Sequence, residues 1–137
     1  MSVLRALPFF LIILGLYNAL MLAGDVPQTL ATELTSVSLI SGAVWTLTVS
    51  DLFISIGVIT LYIEIFKSTR TSMASVVDHT LSTLVFVGFI VEFLVVPACG
   101  TSTFLILGLM SLLDVIAGFT VTIVAARRDF GFNHGDM

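Results

Sequence analysis

The chain has 137 residues, 58% of them hydrophobic and only 10% charged, with a mean hydropathy of +1.17, values that a soluble domain with a core and a wetted surface does not reach. Its net charge of −4 comes from nine acids against five bases, and no basic stripe is left over to follow a phosphate backbone, so nucleic-acid binding is excluded as the main role. One cysteine, Cys99, excludes an intramolecular disulfide and a Cys-x-x-Cys redox pair, and leaves only pairing between chains.

Four long apolar runs account for most of the length, and the bases are placed around them with a consistent logic. Arg5 precedes the first run, Lys67 and Arg70 separate the second from the third, and Arg127 and Arg128 follow the fourth. Cytoplasmic loops carry the Lys/Arg excess, and only an even number of crossings puts all three clusters on one side. The expected fold is therefore an all-α membrane protein, a bundle of four transmembrane helices with short loops and both termini in the cytoplasm. One membrane domain fills residues 1–137.

The first span is expected over residues 6–23. It resembles the start of a secretory signal, but a cut after Ala23 would place Met21 where a small residue is needed, so the reading is an uncleaved helix. Residues 24–37 turn polar. Pro27 suits the first turn of a helix and Leu30, Leu34 and Val37 recur at helical spacing, which predicts a segment lying on the outer membrane surface. The second span is expected over 39–66, long enough to tilt. The third, over 76–96, is stopped by Pro97. After a tight outer turn the fourth covers 103–126, and residues 127–137 form a cytoplasmic tail.

The informative residues are the acids inside these runs. Counted from the expected outer edges, Asp51 and Asp114 both lie near the midplane of a hydrocarbon core of about 30 Å. An Asp there costs roughly 2.5–3.5 kcal/mol, which the apolar residues of the span outweigh, so the helix inserts but cannot leave the carboxyl in lipid. Ser111, Asp114, Gly118, Thr122 and Ala125 form one small-and-polar stripe on the fourth span, and Ser41, Thr48, Asp51, Ser55 and Tyr62 a similar one on the second. Packing of these two stripes against each other would bring Asp51 and Asp114 together through Ser55 or Ser111. Asp78, Ser82 and Glu92 line the third span. Glu64, Asp78 and His79 lie near the cytoplasmic interface, where Lys67, Arg70 and the Arg127-Arg128 pair could neutralise them.

Two chemistries compete for these positions. An intramembrane acid can hydrogen-bond Ser, Thr or Tyr on a neighbouring helix and fix the packing, or it can mark an ion or proton path, here Asp51, Asp114, Glu92, Ser55, Ser111, Asp78 and Glu64. No catalytic set, cofactor site or metal site is expected. His79 and His134 cannot both ligate a haem in the membrane, and Asp129-Phe130-Gly131 is a kinase-like triplet without a glycine-rich or catalytic loop. Three classes of function follow, in order of support. The first is a non-catalytic accessory subunit or homo-oligomeric scaffold in a bacterial inner membrane, with the bilayer and either itself or another membrane protein as partners. The second is a proton or cation translocator working through Asp51 and Asp114. The weakest is an integral membrane enzyme.

Overall fold

The computed structural model describes residues 7–69 and 73–132, which are mostly helical. Helix α1 (Phe9–Ala23) begins at Pro8, whose extended backbone suits a helix entry, and stops at Gly24, where φ of +134° leaves the helical region. Asp25 caps the five-residue α2 (Val26–Leu30) by accepting from the Gln28 backbone N–H at 3.2 Å, and Pro27 occupies the first turn as its missing donor allows.

The chain then departs from the expected course. Residues 33–48, read from sequence as the end of a surface helix and the start of a span, form an antiparallel hairpin of β1 (Glu33–Ser38) and β2 (Val44–Thr48), so the architecture is not purely α. Val, Trp and Thr favour a pleated strand, and Ser41-Gly42 supplies the turn, with Gly42 at φ +84° and the Leu39 N–H bonding the Ala43 carbonyl at 2.8 Å. Helix α3 (Val49–Ser68), where the sequence predicts a second span, consequently starts ten residues later than expected. Thr48 and Asp51 close a reciprocal capping box at its first turn, which is why the helix begins there.

Helix α4 (Met73–Val95) ends before Pro97, a short 3₁₀ turn (Pro97–Cys99) reverses the chain, and α5 (Ser102–Phe132) completes the fold. Among the described residues three helices are long and apolar enough to cross a membrane, over Val49–Ser68, Val76–Val95 and Ser102–Arg128, while α1 has 15 residues. Helix α5 packs along both α3 and α4, and α1 packs against the same two helices. Between them lies an apolar layer of Phe10, Ile13, Leu14, Val85, Phe89, Phe104 and Leu107.

Two glycines set the approach of α5 to its neighbours. A Cβ on Gly57 of α3 would meet the flexible ends of Leu107 and Met110 at 2.7 and 2.8 Å, whereas a Cβ on Gly118 of α5 would strike the His79 ring at 2.5 Å. The ring is held by Thr122 and has less room to yield. Gly118→Ala is therefore expected to lower the thermal stability of the detergent-solubilised protein by roughly 1–3 kcal/mol, and Gly57→Ala by less. The reverse order in thermal unfolding would contradict this packing.

Candidate functional site

Polar side chains inside the bundle gather in two layers separated by the apolar one. The layer beside the hairpin and the 3₁₀ turn is built on Tyr17 and Glu92. Tyr17 is fully buried, edge-on to Phe53 and Phe104, with its hydroxyl 2.5 Å from that of Thr101. Asn18 donates its amide to Glu92 Oε2 at 2.8 Å and to the Leu14 carbonyl at 2.9 Å. Ser50 and Thr103 join α3 to α5 at 2.6 Å. Glu92 thus serves to join α1 to α4, and Cys99 lies against it with Sγ at 3.9 Å.

The opposite layer carries the charge. Four turns of α3 present Gly57, Thr60, Glu64 and Ser68 inward, at the i, i+3, i+7, i+11 positions of one face. Glu64 is 1% exposed, with both carboxylate oxygens engaged: Oε1 accepts from the backbone N–H of Phe9, at the first turn of α1, and Oε2 lies 2.8 Å from Lys67 Nζ. An anion at a helix start meets free N–H groups and the positive end of the helix dipole. Lys67 then reaches Asp78 of α4, Nζ to Oδ1 at 2.9 Å, as an ion pair rather than an aligned hydrogen bond. It also donates to the Leu7 carbonyl at 3.3 Å and lies 5.2 Å from the centre of the Phe9 ring. One ammonium therefore connects α3, α4 and the entry of α1.

Deeper in the bundle, α5 faces this cluster with Ser111, Asp114, Gly118 and Thr122. Ser111 is 1% and Asp114 4% exposed. Ser82 of α4 lies beside the Asp114 carboxyl, and Glu64, Asp78 and Lys67 are near enough to act on it through charge. Asp114 Oδ2 and Ser111 Oγ are buried without a hydrogen-bond partner in the protein. His79 Nε2 and the Thr122 hydroxyl are 3.0 Å apart, and that hydroxyl is also 3.0 Å from the Gly118 carbonyl.

The stripe predicted on the fourth span is thus found on α5, and Glu64, Asp78 and Ser82 converge on it. Asp51 does not. The Ser50–Thr103 contact fixes the register, and Asp114 lies 11 residues beyond Thr103, about 16 Å along the axis. Asp51 instead bonds the Thr48 hydroxyl at 2.7 Å and caps its own helix, because the run from Leu39 that set its expected depth is strand. Ser55 and Tyr62 face outward, so the second-span stripe falls on the other side of the helix from Glu64. It is Glu64, placed by sequence at the interface, that lies near enough to act on Asp114 through charge. Arg70 and His134 lie outside the described residues, and Arg127 and Arg128 are exposed.

Among the described residues no three His, Cys, Asp or Glu side chains converge to hold a metal ion. Cys99 is fully buried in the 3₁₀ turn, where burial first and the Glu92 carboxylate second push its thiol up to about 11. A thiol with a raised pKa stays protonated through neutral pH, and the thiolate is the reactive form. Maleimide labelling of the folded protein is accordingly expected to be slow at pH 7–8, to climb only towards pH 11, and to become fast in denaturing detergent. Equal rates in the folded and denatured protein at neutral pH would contradict this environment. No family model, curated protein or solved structure matches the chain, so its role has to be read from this chemistry.

Proposed function

We propose that the chain is a four-span protein of a bacterial inner membrane, with both termini in the cytoplasm, and that it acts as a non-catalytic subunit or homo-oligomeric scaffold. The observation that carries this reading is the closed clasp of Glu64, Lys67 and Asp78, in which Lys67 faces two carboxylates and a carbonyl and both Glu64 oxygens are engaged. Charges locked in this way hold helices together; they are not free to bind and release a transported ion. Fourth-span character for α1 is supported by its contacts. Its start touches Glu64 and Lys67 in the charged layer, while Tyr17 and Asn18 touch Thr101 and Glu92 in the opposite one, so it runs the depth between the two. Arg127 and Arg128 lie at the same end as Lys67, in keeping with bases on one face of the membrane.

A second reading, proton or cation movement, is favoured by one observation: Asp114 Oδ2 and Ser111 Oγ are buried and unpartnered beside that clasp. A purely structural polar pair is normally satisfied, and a buried unpaired oxygen costs about 1–3 kcal/mol. The readings part at Asp114→Asn, which keeps an acceptor and adds donors but cannot exchange a proton. The subunit reading expects the purified protein to co-purify with itself or a larger membrane protein and to give no proton or cation flux in liposomes, with Asp114→Asn assembling as the parent does. Flux that disappears in Asp114→Asn, with assembly unchanged, would overturn it in favour of translocation.

A further inference from the structure

The β1–β2 hairpin is unlike the rest of the molecule. All six residues of β1 are exposed, and Val37, Leu39, Ile40, Val44 and Trp45 present large apolar side chains, with Ile40 at the turn fully uncovered. From residue 34 to residue 50 there is no charged side chain; Glu33 and Asp51 bracket the ribbon. A two-stranded ribbon standing alone in water is marginal, and uncharged edges with apolar side chains invite aggregation.

The register shows how the apolar side chains are arranged. Val37 pairs with Trp45 and Thr35 with Leu47, and the alternation carries this face on to Leu39; the other face pairs Ser36 with Thr46 and Ser38 with Val44. One side of the ribbon is thus largely apolar and the other largely hydroxyl-bearing. Its root is fixed at the end of a membrane-length helix without a linker, since Thr48 is both the last residue of β2 and the N-cap of α3, and the Val49 N–H donates to the Thr32 carbonyl at 3.0 Å.

We infer that the hairpin is a membrane-surface anchor, its Val37/Leu39/Trp45/Leu47 face seated at the boundary between the headgroups and acyl chains of the outer leaflet. This rests on the membrane-spanning reading of α3. A ribbon with open edges cannot enter the hydrocarbon, where its unpaired N–H and C=O groups would find no partner, but at the headgroup level water and ester oxygens satisfy them. Tryptophan favours that depth because its ring is apolar while its N–H needs a partner. The Ser and Thr face then looks to headgroups and water. With no charge between residues 34 and 50, attachment depends on apolar contact and is insensitive to salt and to lipid charge.

Trp45 is the sole tryptophan of the chain, so its fluorescence reports this site alone. The full-length protein is reconstituted in phosphatidylcholine vesicles, floated on a gradient, and quenched either by lipid brominated near the glycerol end of the acyl chain or by aqueous iodide. The anchor predicts blue-shifted emission, quenched about threefold more by the brominated lipid than by iodide, and unchanged when protein is diluted on the order of tenfold in lipid. Ile40→Asp should raise iodide quenching without altering flotation. Red-shifted, iodide-quenched emission from protein that floats would overturn the anchor alone. Emission shielded from both quenchers and altered by dilution would overturn it in favour of a second copy covering the ribbon. Protein that does not float would overturn the membrane-spanning reading itself.

Discussion

The ammonium of Lys67 is the interaction on which the interior depends. Three carboxyl groups, from Glu64, Asp78 and Asp114, are buried in one layer of the bundle, and a charge removed from water costs several kcal/mol unless it is paired. Lys67 meets two of the three directly, and its spacing of three residues from Glu64 places both on the same side of α3. Glu64 gains a further partner in the start of α1, so the position of α1 is set by electrostatics where a hydrophobic contact alone would let it slide. The long aliphatic stem of a lysine allows this, reaching from an interior face toward the helix end with the side chain as a whole one-fifth exposed.

From that clasp the rest of the bundle follows in layers. Helix α5 brings its small residues to α3 and α4 because Gly57 and Gly118 remove the Cβ atoms that would hold it off. The apolar layer of Phe89, Phe104 and Leu107 fills the middle, and the Tyr17–Thr101 and Asn18–Glu92 bonds close the far end. α1 is bonded at both ends, to Glu64 and Lys67 in one layer and to Thr101 and Glu92 in the other.

Much of this was legible in the sequence, and where it was not the reason is specific. Helical spacing from Ser111 to Thr122 identified the inner face of α5, because an Asp among Leu, Ile and Val has only one side on which it can be satisfied. Pro97 marked the end of α4 for an equally local reason, the lost N–H and fixed φ of its ring. The hairpin was hidden because Leu39 to Val49 is a short apolar run that reads equally well as strand or as the start of a long helix. Counted as part of the span, it shifts the expected depth of Asp51 by most of a hydrocarbon half-thickness and turns the Ser55 face inward. The Ser41-Gly42 turn and the Val-Trp-Thr composition were the available signals. Nearness to Lys67 reads in the sequence as neutralisation of Glu64 at the interface, whereas tertiary packing buries Glu64 against the start of α1.

The measurement that tests the clasp most directly is a double-mutant cycle on Glu64 and Lys67, read by thermal unfolding in detergent. Lys67→Met alone leaves the buried Glu64 carboxylate without its ammonium and should cost about 3–5 kcal/mol. Glu64→Gln in the same background should recover part of that loss, giving a coupling energy of about 1 kcal/mol or more between the two positions. Strictly additive effects of the two substitutions would contradict the claim that this pair organises the bundle.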